Sequence, residues 1–160
     1  MKKHQYQINI EWTGNLGEGT KGYRSYERSH IIFSEHKEVK ILGSADPSFK
    51  GDSSKYNPEE LFVSTLSSCH MLWYLHLCAE KGINIISYVD TATGIMEEFE
   101  NGSGRFIAVT LSPKIKIGNH PDYEKEAIAL HHKAHELCFI ANSVNFEVKV
   151  RAEIFCVEQM

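Results

Sequence analysis

Between Asn57 and Gly82 the sequence reads as one long helix that is apolar nearly all round. Asn57-Pro58-Glu59-Glu60 opens it. Asn57 offers an N-cap acceptor, Pro58 fits the first helical position, and the two carboxylates sit over the positive end of the helix dipole. Gly82, without a Cβ, suits a left-handed cap at the other end. Roughly 24 residues at 1.5 Å each make about 36 Å of helix. Leu61, Phe62, Leu66, Leu72, Trp73, Leu75 and Leu77 spread around its circumference, so protein is expected to cover it on most sides. A chain of 160 residues, 42% hydrophobic, builds one domain-sized core and has little left over to enclose such a helix. The expectation is therefore a single domain over residues 1–160, with a second copy of the chain helping to bury the helix.

The flanking sequence is mostly strand. Gln5 to Trp12 alternates apolar and polar residues, Lys21 to Phe33 is rich in β-favouring side chains, and Glu38 to Leu42 alternates again, which predicts a small antiparallel sheet. Gly43 to Tyr56 has no apolar periodicity and reads as a loop of about a dozen residues, a length that in compact domains tends to carry function. Ile83 to Phe99 and Arg105 to Ile117 are two β-rich runs joined by a turn at Glu100–Gly104, forming one long hairpin. Asn119 or Asp122 opens a second helix that runs from Tyr123 to about Phe139, with Ala127, Leu130, Ala134 and Leu137-Cys138 on its apolar side. Phe146 to Val157 closes the chain as a strand. This order is an α+β arrangement.

A formal charge of −4 leaves no basic footprint for nucleic acid or anionic membranes, so the expected ligand is small. Met1-Lys2-Lys3 leads into polar residues rather than a secretory apolar region, and the longest apolar stretch, Met71 to Ala79, is interrupted by His76. It falls short of the roughly 20 residues that span a bilayer. A cytoplasmic protein without membrane contact is expected. Cys69, Cys78, Cys138 and Cys156 match no CxxC or zinc-ribbon spacing, and in a reducing compartment a thiol that matters usually matters for its reactivity. Cys69 lies mid-way along the first helix and Cys138 at the end of the second. Packed helices can bring Cα atoms within the roughly 4.4–6.8 Å that a disulfide needs, though two unrelated core cysteines would look the same at this stage.

The run Asn57-Pro58-Glu59-Glu60-Leu61, then Ser67-Ser68-Cys69-His70, then Ala134-His135-Glu136-Leu137-Cys138, resembles the OsmC/Ohr family of thiol peroxidases. In that family an NPE-type motif opens a central helix, the peroxidatic cysteine follows ten residues after the motif's first glutamate, and a second cysteine ends the later helix. Glu59 and Cys69 keep that interval. The resemblance covers most of the chain and implies antiparallel sheets around two long central helices in an intertwined homodimer with active sites at the subunit interface. It implies reduction of organic hydroperoxides, in preference to hydrogen peroxide, through a Cys69 sulfenic acid and a Cys69–Cys138 disulfide. No bound cofactor is implied; an external dithiol, a lipoyl-type one among the options, restores the enzyme. It also implies an arginine held by the motif glutamate beside the reactive thiolate.

Here the sequence departs from the pattern. Lys50 is the basic residue in Ser48–Asp52, the stretch of the loop where OsmC-type members carry their arginine, and Arg24 and Arg28 are the nearest arginines in the first hairpin. A cation is still needed, because burial raises a thiol above its free value of about 8.5 and Cys69 lies about three turns beyond the helix N-terminus, out of useful reach of the dipole. Lys50 is the first candidate for that charge and Arg28 the second, with Glu59 positioning it. Phe49, Phe62 and Trp73 are candidates both for the wall of an organic substrate's pocket and for plain core. His70 follows Cys69 directly, but adjacent helix positions point about 100° apart, so it is left out of the chemistry. Two rival readings remain. His131, His135 and Cys138 share a helix face and would suit a metal such as zinc, and the fold could equally serve as a non-catalytic thiol-bearing binding protein.

Overall fold

The computed structural model describes residues 1–118 and 123–156. Their contacts divide into two compact units, Met1–Phe62 and Val63–Met160, with the boundary inside the long helix α1 (Pro58–Glu80).

The first unit holds an antiparallel sheet of β1 (Asn9–Trp12), β2 (His30–Phe33) and β3 (Ile41–Gly43), in that order. The strands are shorter than the sequence pattern predicts. Of the run from Lys21 to Phe33 only the last four residues are strand, because polar side chains upstream capture the backbone. Asn15 Oδ1 accepts the N–H groups of Gly17 and Gly19 (both 2.9 Å), and Ser25 Oγ accepts the Gly22 N–H (2.9 Å). Such local bonds compete with a sheet ladder. The loop after β3 contains one 3-10 turn, Pro47–Phe49, started by Asp46, whose carboxylate accepts the Ser48 N–H. At the start of α1 the expected cap is present in reciprocal form: Glu60 N–H donates to Asn57 Oδ1 (2.7 Å) and Asn57 N–H donates to Glu60 Oε2 (3.0 Å), a capping box.

In the second unit α1 ends as expected. Gly82 takes φ +70°, its N–H donates to the Ala79 carbonyl (3.1 Å), and Ile83 N–H donates to the Cys78 carbonyl (2.9 Å), the pair of bonds that closes a Schellman motif. The single long hairpin predicted after it is instead folded into four strands: β4 (Ile85–Asp90), β5 (Thr93–Glu98), β6 (Gly104–Leu111) and β7 (Pro113–Ile117). The turn between β5 and β6 is where the sequence puts it, with Gly102 at φ +79°. The break comes at a corner, where the Asp90 carboxylate accepts the Ser112 N–H (2.7 Å) and the Ser67 hydroxyl (2.5 Å). Beyond that corner β5 and β6 pair in one sheet, while β4 and β7 pair in another. The closing strand likewise breaks after Val150, giving β8 (Glu147–Val150) and β9 (Glu153–Cys156), which add in parallel to β6 and β7. The antiparallel pattern expected throughout therefore holds for the hairpin pairings and not for the last strand of each sheet.

Helix α2 (Glu124–Leu137) carries Ala127, Leu130, His131 and Ala134 as its buried face. The expected helix opening at Asn119 or Asp122 and the strand end at Val157 lie outside the described residues. Ala127, Leu130 and Ala134 pack with Tyr74, Cys78, Ile83, Ile115 and Ile117 in the core of this unit. The chain by itself does not cover α1 on most sides. Only the stripe Leu66, His70, Tyr74, Cys78, at four-residue spacing, is fully buried, and Leu72 stays 63% exposed. No helix among the described residues is long and apolar enough to cross a membrane.

Candidate active site

Two sets of predicted residues are brought together, one in each unit. In the second unit Cys69, half-buried on α1, meets Cys138, buried at the C-cap of α2. Both are free thiols. Cys138 is pushed up to about 11 by burial and by its hydrogen bond with Cys69, so at neutral pH it keeps its proton. Ala141 N–H, from the 3-10 turn after α2, donates to Cys138 Sγ (3.4 Å) and fixes the sulfur from the other side. The helix ending at Cys138 is what makes this possible, since at ψ 108° the chain beyond the residue leaves the helical path and brings the Ala141 N–H back to the sulfur. Trp73, one turn after Cys69, meets Phe139 edge-on (5.8 Å between ring centres), an apolar flank next to the dithiol.

In the first unit Glu59 and Arg28, both half-buried, line a cavity of about 400 Å³ together with Trp12, Tyr26, His30 and Phe49. Arg28 is tightly held. Its Nη1 donates to the Tyr26 carbonyl (2.7 Å), its Nη2 to the Tyr23 carbonyl (2.8 Å), and its guanidinium lies over both tyrosine rings at 4.3 and 4.4 Å. Lys50 is elsewhere: exposed, at φ 65° at the end of the 3-10 turn, and not among the residues of this cavity. Nothing in the sequence marked Trp12, Tyr26 or His30 as neighbours of Glu59, because a non-local chain crossing puts them there.

The histidines also differ from expectation. His131 does not join His135 and Cys138 in a ligand set; its Nδ1 hydrogen-bonds His70 Nε2 at 2.9 Å inside the core. Among the described residues no group of three His, Cys, Asp or Glu side chains is arranged to hold a metal ion. His70 is depressed to about 4 and His131 to about 3, in both cases chiefly because burial penalises the charged ring, so both are neutral near pH 7. The signal that could have found the pair is positional: His70 stands in the buried stripe with Leu66 and Tyr74, and His131 next to Leu130.

A half-buried thiol thus stands against a buried one where two helices of an α+β scaffold meet. The profile of the OsmC-like protein family matches residues 51–153, and the chain belongs to that family. An OsmC-like protein of unknown function from Vibrio cholerae is 34% identical over 96% of this chain and all of its own, with a TM-score of 0.82. The fold recurs in an organic hydroperoxide resistance protein of Elizabethkingia anophelis, 21% identical over 96% of this chain and 98% of its own, with a TM-score of 0.64. It recurs again in a Vibrio cholerae protein described as a putative organic hydroperoxide resistance protein with captopril in one active site, 22% identical over 95% and 93%, TM-score 0.64. No curated protein matches the sequence.

Proposed function

We propose that the protein is a thiol-dependent peroxidase that reduces organic hydroperoxides to alcohols. The observation that carries this reading is the pairing of half-buried Cys69 with buried, protonated Cys138. Cys69 attacks the O–O bond as thiolate, becomes a sulfenic acid and releases an alkoxide that takes up a proton to leave as alcohol. Cys138 then displaces hydroxide from the sulfenic sulfur, its own proton completes a water molecule, and a Cys69–Cys138 disulfide remains. An external dithiol, of lipoyl type among others, reduces that disulfide by exchange and needs no bound cofactor. Membership of the OsmC-like family and the names borne by the Elizabethkingia and Vibrio structures support hydroperoxides as the substrate class.

The activating cation is Arg28 rather than Lys50, because Arg28 shares a cavity with Glu59 and Lys50 does not. Its aromatic walls suit an organic rather than a purely polar substrate. The family resemblance implies a homodimer with active sites at the subunit interface, and in such a dimer Arg28 and Glu59 of one copy serve Cys69 of the other. The test is peroxide turnover with a dithiol reductant. Consumption of cumene hydroperoxide faster than hydrogen peroxide, lost in Cys69→Ser, is expected; a protein that consumes neither would be a thiol-bearing binding protein instead.

A further inference from the structure

The buried polar pair between the two helices has no place in the cycle above, yet it is the most directional contact between them. His70 is 1% exposed and His131 5% exposed, and they share one hydrogen bond. Their rings lie nearly parallel (6°), and Tyr74 stacks on His131 at 3.9 Å between ring centres. The outer nitrogens, His70 Nδ1 and His131 Nε2, are buried without a hydrogen-bond partner. Burying such groups unpaired is unfavourable, so the pair is a poor device for stability.

What it does supply is register. The helices run antiparallel: Lys81 pairs with Glu126 (3.6 Å), Tyr74 and His70 meet His131, and Cys69 meets Cys138 beyond them. Other buried α2 residues along this face are Ala127, Leu130 and Ala134, whose side chains cannot hydrogen-bond to a partner. A slip of one residue would shift Cys138 by about 1.5 Å and turn it by about 100°. A disulfide tolerates a Cβ separation of only about 3.5–4.5 Å, so such a slip would part the thiols. A buried polar contact in a helix interface is known to fix register at a cost in stability. We propose that His70 and His131 are positioning residues whose hydrogen bond locks α1 against α2 so that Cys69 and Cys138 stand within bonding distance. This rests on Cys69 and Cys138 acting as a redox pair, but not on the oxidant being a peroxide.

The experiment is therefore an equilibrium with dithiothreitol. Two thiols lose two protons and two electrons to oxidised dithiothreitol and become the disulfide, and peptide mapping after alkylation gives the fraction bridged. In His70→Leu/His131→Leu both partners are replaced by apolar groups, so no buried polar atom is left unpaired. In His70→Gln/His131→Asn the two amides reproduce the bonded Nε2 and Nδ1 positions. The expected result is a leucine pair that is folded by circular dichroism but has a Cys69–Cys138 equilibrium constant at least about tenfold below wild type, equivalent to roughly 30 mV. The amide pair should stay within about threefold. A folded leucine pair with the wild-type constant would overturn the proposal. Should the leucine pair fail to fold, His70→Gln, which keeps the bond, is compared with His131→Gln, whose longer amide misplaces it. A tenfold loss confined to His131→Gln supports the register role and equal constants refute it. A wild-type protein that forms the disulfide but consumes no peroxide would refute the peroxidase reading alone. One that forms no such disulfide would refute both.

Discussion

At the scale of single residues, the meeting of the two cysteines was legible and the neighbours of Glu59 were not. Cys69 and Cys138 stand on helices whose apolar faces are written in the sequence, so their meeting follows from local pattern plus ordinary helix packing. One equivalent of organic hydroperoxide is expected to give a Cys69–Cys138 disulfide with Cys78 and Cys156 still reduced. Peptide mapping that finds either of the latter in the dominant bridge would contradict the assignment. Lys50 was put forward for its position in the loop before Asn57, whereas the return of β2 alongside β3 places Arg28 rather than Lys50 among the residues that line the Glu59 cavity. Removing one charged contact from a reacting centre, at about 1.4 kcal/mol or more, lowers a rate at least about tenfold. Arg28→Met is thus expected to slow peroxide consumption by that factor while Lys50→Met leaves it unchanged, as measured by stopped-flow under single-turnover conditions.

At the scale of elements, both ends of α1 were readable because caps are local chemistry, and each end makes a quantitative claim. Asn57→Ala removes one half of the capping box and is expected to cost about 1 kcal/mol. Gly82→Ala forces a Cβ into the left-handed region at φ +70° and is expected to cost about as much, both measured by denaturant unfolding. The strand runs were readable only as β-rich sequence. Their breaks depend on Asp90 meeting Ser112 and Ser67 across 22 and 23 residues, which no periodicity encodes. The α1–α2 contact carries a pH dependence. His70 and His131 have folded values of about 4 and about 3, below the ordinary 6.5, so between those limits the unfolded chain binds more protons than the folded one. Burial is the main cause; for His70 nearby His135 lowers it further and Asp90 opposes, and His70 in turn lowers His131. Their contribution to stability is fully present above about pH 6.5 and is lost as pH falls through about 4 and 3. Urea unfolding at a series of pH values should show wild type losing on the order of 2 kcal/mol or more between pH 7 and 4, with that loss much reduced in His70→Leu/His131→Leu.

At the scale of the whole molecule, the sequence called for a second copy because α1 is apolar nearly all round, and the single chain leaves that demand open. Leu72 on α1, Ile10 and Leu42 on the first sheet, and Val89 and Ile95 on the other sheets are all more than half exposed. A homodimer at micromolar concentration by light scattering is the expected outcome, and a folded, monodisperse monomer would exclude it. Dimerisation also carries a sharper consequence. If Arg28 and Glu59 of one copy serve Cys69 of the other, an Arg28→Met chain, slowed at least about tenfold, and an inactive Cys69→Ser chain complement each other when mixed. In the mixed dimer the intact Cys69 of the first chain meets the intact Arg28 of the second, while the reciprocal site lacks both. Unfolding and refolding the two variants together at equal concentration makes about half of the dimers mixed, each with one working site. Turnover should then recover to about a quarter of the wild-type value per chain, and no recovery in a mixture with demonstrated exchange would place the cation and the thiol on one chain.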